Sequence, residues 1–294
     1  MANKVYAYYP GCSLDGGARE YDLSLRRVLE VLGVELRELD DWSCCGTTPA
    51  HTVDHIFSSA LAARNLAIAR RMGIETLLVP CPACLIALKK ADYYMADRTF
   101  RERVNALLEE PYEGGIEIKS ALQVLYEEVG TERIEALVRY LFPDLKIAPY
   151  YGCLYTRPPK IARFDDPENP TSMDEILKAC GFQVCEFEFK TECCGAAFGL
   201  VKEEMVNRLS GKILSAAKEC GANAVATACP LCQQNLDLRQ AQIERLEGKP
   251  FRLPVFYFSQ LLGLSFGLSE SELGIEKLVV DGGGLLSSRR QKAA

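Results

Sequence analysis

Residues 65–91, NLAIARRMGIETLLVPCPACLIALKKA, and residues 211–238, GKILSAAKECGANAVATACPLCQQNLDL, read as the same sequence of parts: helix, glycine stop, short apolar strand, Cys-Pro-x-Cys, second helix. Gly73 and Gly221 stand where a helix C-terminus calls for a left-handed residue. Working outward, each half opens on an apolar run that ends in Gly-Cys, VYAYYPGC and IAPYYGC, which predicts a buried strand carrying a lone cysteine at its carboxyl tip. A second strand in each half, around VELREL and QVCEFEF, precedes an adjacent Cys-Cys-Gly. Each half closes with a further strand and helix, GIEIKSALQVL and LPVFYFSQLLGL. Strands alternating with helices predict an α/β protein of two pseudo-symmetric domains with largely parallel sheets. Ligands of such sheets gather beyond the carboxyl ends of the strands, where every cysteine element of the repeat is expected. The segment TERIEALVRYLF, with Thr131 as its expected N-cap, reads as a connecting helix, so the domains are expected at 1–143 and 144–294.

Ten of the thirteen cysteines fall into this duplicated pattern. Cys12, Cys44, Cys45, Cys81 and Cys84 form the first set, with 31 and 35 residues in the two gaps; Cys153, Cys193, Cys194, Cys229 and Cys232 form the second, with 39 and 34. Five thiols exceed the four ligands of a structural zinc and the four of an ordinary cubane cluster, which points to an unusual metal-sulfur site in each half. Pro82 and Pro230 fit the first position of a helix, where the missing amide would have no partner anyway. The remaining amides of that helix start are free to donate to sulfur.

Composition removes competing classes. The chain has 294 residues and 48% apolar content, enough for two ordinary cores and too long to need disulfide staples. Its N-terminus lacks the parts of a signal peptide, and no apolar run approaches the roughly 18 residues of a membrane span. A cytoplasmic, reduced chain without membrane insertion is expected, and clustered cysteines there indicate metal or thiol chemistry. The net charge of −6 gives no basic footprint, so no nucleic-acid partner is expected.

The two C-C-G and C-P-x-C blocks, DDPENPTSMDEIL from Asp165 and FSQLLGLSFGLSESELGIEK from Phe258 together resemble the CCG-domain family, in particular the B subunit of CoB-CoM heterodisulfide reductases. The resemblance spans essentially the whole chain. It implies two noncubane 4Fe-4S clusters, one on each five-cysteine set, facing each other across the domain interface with a small-molecule disulfide between them. Disulfide cleavage takes two electrons and iron-sulfur clusters pass one at a time, so each cluster would supply one and receive one thiolate. No dinucleotide fingerprint or flavin motif is present. By the same resemblance, electrons would arrive from the small ferredoxin-like heterodisulfide reductase subunit, itself fed by a flavin-containing subunit that can bifurcate electrons. An anaerobic host is implied by cluster chemistry of this kind. One departure is Leu154: methanogen members carry His directly after the second lone cysteine, so a bacterial-type homologue with another disulfide is expected.

Outside the cysteines, His51 and His55 are the only histidines, and their i, i+4 spacing predicts one helical face near the cleft, placed to give protons to departing thiolates. Surface histidines without function have the same signature. Tyr155 and Arg157 are candidates for holding an anionic substrate, as more weakly is Lys190, against the plainer reading of loop packing and pairing. Cys180, Cys185 and Cys220 have no counterparts in the first half and read as buried apolar residues. Two other functions fit the motif: a CCG module that relays electrons within an oxidoreductase complex without binding a disulfide, and a zinc scaffold.

Overall fold

The computed structural model describes residues 4–47 and 49–292. The first half builds a parallel sheet from β1 (Val5–Tyr8), β2 (Glu35–Glu38), β3 (Thr76–Val79) and β4 (Glu117–Ser120), in the order β2-β1-β3-β4. A short β5 (Tyr140–Leu141) follows. The second half repeats the plan with β6 (Lys146–Tyr150), β7 (Gln183–Val184), β8 (Ala224–Thr227) and β9 (Val255–Tyr257), in the order β7-β6-β8-β9, again all parallel. The mixed α/β class with two pseudo-symmetric domains is therefore as the sequence indicated.

The central strands explain themselves. Every residue of β3 (TLLV) and β8 (AVAT) is buried, as expected for parallel strands covered by helices on both faces. In both sheets the first strand of the half pairs with its second and third strands on opposite sides, which opens a crevice between β1 and β3 and between β6 and β8. That crevice is the topological switch point where α/β sheets bind ligands.

The halves do not separate cleanly at residue 143. Helix Phe258–Phe266, buried along its whole length, packs on helix Arg19–Val31 of the first half. There Tyr21 stacks on Tyr257 at 4.3 Å and Ser24 Oγ lies 2.7 Å from Ser259 Oγ. Leu25 and Val28 share one apolar core with Phe258, Leu261 and Leu262. The last strand, β10 (Arg290–Gln291), returns to pair antiparallel with β5. An amphipathic helix must bury its apolar stripe, and here each half covers the other's.

Three local expectations change. Thr131 is the first residue of its helix; Gly130, at φ +82°, precedes it, and no side-chain cap is made. The helix stops at Ala136, because Arg139 N donates to Ser265 O (2.8 Å) and the next two residues form β5. The segment after β4 begins as an α-helix at Ala121 and widens into a π-helix over Val124–Val129.

Candidate metal-sulfur centre

All three cysteine elements of each half lie beyond the carboxyl ends of its strands. Cys12 follows β1, Cys44 and Cys45 follow β2, and Cys81 and Cys84 follow β3; Cys153, Cys193–Cys194 and Cys229/Cys232 follow β6, β7 and β8. The burial pattern repeats as well. Cys45, Cys81 and Cys84 are buried while Cys12 and Cys44 are exposed; Cys194, Cys229 and Cys232 are buried, Cys193 is exposed and Cys153 is half-buried. Cys45 Sγ and Cys84 Sγ are 3.3 Å apart, Cys194 Sγ and Cys232 Sγ 3.6 Å. These separations far exceed the roughly 2.05 Å of a disulfide, and all thirteen thiols are free.

Local geometry explains the convergence. Cys81 and Cys229 are extended N-cap residues with Pro at the first helical position. The amides of Cys84 and Ala83 donate to Cys81, and Gly195 N donates to Cys193 Sγ at 3.3 Å. Gly11 and Gly152, at φ +66° and +73°, let the backbone pass close to the last cysteine of each set: a Cβ there would stand 3.1 Å from Cys84 Sγ and 2.9 Å from Cys232 Sγ.

The thiols of each set share protons. A hydrogen bond from Cys44, then one from Cys84, holds Cys45 well below an ordinary thiol. Cys232 donates to Cys194 and lowers it to about 7, and Cys153 lowers Cys193 in the same way. The donors are correspondingly raised, Cys84 and Cys232 by the Cys45 and Cys194 thiols and Cys153 by Cys193. Thiolates crowded in this way ionise together only around a cation, so the five residues of each set fit a metal-sulfur group. Among the described residues, no three His, Cys, Asp or Glu are disposed to hold one isolated metal ion.

A cavity of about 270 Å³ opens beside the first set, lined by Cys45, Thr47, His51, His55 and Lys90 and closed by Leu154, the neighbour of Cys153. It therefore runs from one cysteine set to the loop of the other. His51 and His55 both reach it, but not on one helix. His51 belongs to Pro49–Val53, and His55 opens His55–Arg71 after Asp54, whose carboxylate caps that helix by accepting from Phe57 N at 2.6 Å. The His55 ring meets Tyr94 and Phe100 edge-on at 5.2 and 5.4 Å. Leu154 packs on Ile86, Ile161 and Ala162.

The other candidates lie elsewhere. Tyr155 is fully buried between the halves, its hydroxyl 3.1 Å from Pro80 O and 3.2 Å from Ala228 O, so the residues just before Cys81 and Cys229 are neighbours. Arg157 donates to Pro167 O (2.8 Å), Thr191 Oγ1 (3.0 Å) and Glu168 (2.6 Å). Lys190 is buried against Asp174 (2.7 Å) and Pro170 O (2.8 Å). All three hold loops together rather than line the cavity. Cys180 is buried as expected, whereas Cys185 and Cys220 are half-exposed neighbours lining one surface pocket. Sequence reading missed Lys90, which one helical turn and a half beyond Cys84 carries no distinguishing signal.

A duplicated α/β frame with five thiols at each switch point defines a class of metal-sulfur domain. The cysteine-rich domain model, CCG, matches residues 6–89 and 147–237, and the chain belongs to that family. It is 37% identical over 95% of its length, and 98% of the other chain, to the 8-methylmenaquinol:fumarate reductase membrane anchor subunit of Wolinella succinogenes. It is 31% identical to the B subunit of the ferredoxin:CoB-CoM heterodisulfide reductase of Methanosarcina mazei, over 95% and 94% of the two chains. Among solved structures, a hypothetical protein from Helicobacter pylori shares the fold with TM-score 0.74 at 14% identity, over 96% of this chain and 53% of that one. No described helix is long and apolar enough to cross a membrane.

Proposed function

We propose that this chain is the catalytic iron-sulfur subunit of a multisubunit oxidoreductase of the heterodisulfide-reductase type. The carrying observation is the cavity that joins Cys45 of one set to Leu154 beside the other. Cys12, Cys44, Cys45, Cys81 and Cys84 would hold one noncubane 4Fe-4S cluster, and Cys153, Cys193, Cys194, Cys229 and Cys232 the second. When bound, such clusters supply electrons one at a time, so the pair matches the two electrons of a disulfide.

The chain's own residues do the rest. Leu154, Ile86 and Ala83 give the cavity an apolar wall that excludes water around a sulfur substrate. His51 and His55 are placed to hand protons to the leaving thiolates, because both rings line the cavity and imidazole is a proton donor of the right kind. Lys90 offers a fixed positive charge for a thiolate. Electrons come from a ferredoxin-like partner and, behind it, a flavin-containing one, and the isolated chain does not turn over with pyridine nucleotides.

A second reading follows from the Wolinella relative: a CCG module relaying electrons within a fumarate reductase complex, with no disulfide bound. The test begins with iron, acid-labile sulfide and zinc on anaerobically purified protein, where two clusters require about eight irons per chain. EPR of the oxidised protein is then titrated with thiols and separately with a naphthoquinol. A thiol-dependent signal lost in His51→Ala/His55→Ala supports disulfide chemistry; a signal indifferent to thiols and altered by quinol supports the relay. Zinc in either set in place of iron defeats both.

A further inference from the structure

Tyr9 and Tyr150 occupy the same place in the repeat, three residues before Cys12 and Cys153. Both side chains are fully buried. Tyr9 Oη donates to Ser43 O at 2.8 Å and Tyr150 Oη to Glu192 O at 2.7 Å. Ser43 and Glu192 are the residues immediately before the two Cys-Cys pairs. Both tyrosines also lie near the third cysteine element. A Cβ at Gly11 would lie 3.2 Å from Tyr9 Cε1 and 3.1 Å from Cys84 Sγ, and Cys232 Sγ lies 4.0 Å from Tyr150 Oη. In the second half one side chain thus touches all three cysteine-bearing segments; in the first, Tyr9 holds the segment ahead of the Cys-Cys pair and packs against the Gly11 turn that also passes Cys84.

We propose that Tyr9 and Tyr150 are positioning residues that set the direction of each Cys-Cys pair, a proposal that rests on reading the two thiol sets as metal-sulfur ligands. Adjacent residues of an extended chain project to opposite sides, so the orientation of the peptide ahead of the pair decides which thiol faces inward. A hydrogen bond to the carbonyl of that peptide resists its rotation. It keeps Cys45 and Cys194 buried and leaves Cys44 and Cys193 exposed. A phenylalanine would supply the same packing, and the hydroxyl is the part that reaches the carbonyl. The two tyrosines are not equally alone. Ser43 is also clasped by Asn65, whose Nδ2 donates to Ser43 O (3.1 Å) and whose Oδ1 accepts from Ser43 N (2.9 Å).

The test uses Tyr150→Phe and Tyr9→Phe in the full chain. On the reduced, metal-free protein, brief iodoacetamide labelling followed by fragment mass spectrometry gives the Cys193:Cys194 and Cys44:Cys45 modification ratios. The Cys193:Cys194 ratio is expected to fall about fivefold in Tyr150→Phe, the equivalent of one net hydrogen bond, and the Cys44:Cys45 ratio to fall less in Tyr9→Phe. On iron-reconstituted protein, each variant is expected to change the EPR line shape of its own site only. Unchanged ratios in both variants overturn the proposal, even if unfolding midpoints drop, because a purely structural tyrosine would lower the midpoint alone. The labelling is independent of metal: a parent chain that takes up no iron defeats the metal-sulfur reading, while the ratios still decide the role of the tyrosines.

Discussion

The two cysteine sets have the same frame and different supports. In the first half, Cys-Cys-Gly runs into the short helix Pro49–Val53 and the long helix His55–Arg71, and the histidines on them wall the cavity. In the second, it runs into the short turn Ala196–Leu200, none of whose residues is buried. The second lone cysteine is held from below by buried charge: Tyr151 Oη donates to Asp174 Oδ2 (2.6 Å), Lys190 pairs with Asp174, and Lys190 O accepts from the amides of Tyr151 and Gly152 (3.0 Å each). The first half has Pro10 where Tyr151 stands. The two halves thus share the sheet crevice and the thiols, while their surroundings differ: a histidine-lined wall on one side and a buried, charged brace on the other.

The sharpest way to break this contrast is Asp174→Asn, which leaves Lys190 charged and buried without its partner. It should cost about 3–5 kcal/mol by urea unfolding, a loss typical of a broken buried ion pair. A cost under about 1 kcal/mol would mean that the brace is not needed.

Gly46→Ala probes the opposite side. Gly46 sits at φ +78°, and a Cβ would stand 2.6 Å from Ser58 O, a backbone atom that cannot swing aside. Left-handed strain and overpacking together should remove roughly 2–4 kcal/mol. Gly195→Ala meets the Val206 side chain at 2.7 Å instead and should cost less, which chemical unfolding of the two variants side by side would reveal.

Asp237, beneath the second sheet, gives that half a pH dependence. Burial raises its carboxyl to about 6, although the amides of Val279 and Val280 donate to it. A carboxyl raised in the folded state binds its proton more tightly folded than unfolded. Stability therefore falls as pH rises from about 4 to about 6 and is level above, by at most about 3 kcal/mol. Asp237→Asn should remove that slope when unfolding is measured from pH 4.5 to 7.5; an unchanged slope would assign it to other groups.

The smallest effect is expected where the halves meet. Tyr155→Phe removes a hydroxyl that lies near both Pro80 O and Ala228 O and should cost about 1–2 kcal/mol. Because those carbonyls precede Cys81 and Cys229, the variant should perturb the spectra of both sets together, unlike the tyrosines that serve one set each.

Much of this was legible in the chain. Apolar runs with glycine stops announced β3 and β8, the repeat announced a parallel sheet in each half, and cysteine spacing placed all ten thiols beyond strand ends, because short-range periodicity and strand direction are local properties. Tyr155, Arg157 and Lys190 looked like substrate contacts because a polar residue near a cysteine has the same signature whether it faces a ligand or a carbonyl across the interface. His51 and His55 looked like one helical face because the capping carboxylate of Asp54 that divides them shows only once Phe57 N is seen to donate to it.

Sequence alone determined the α/β class, the duplication and the thiol sets, since each depends on order along one segment. Tertiary structure alone decided that helix Phe258–Phe266 completes the core of the first half, that Leu154 closes a cavity built from the other half, and that Tyr9 and Tyr150 reach the peptide before each cysteine pair. Those contacts join residues more than thirty positions apart: the tyrosines meet their carbonyls where the chain returns after the second strand of the same half, and the other two contacts form only because one half packs against the other.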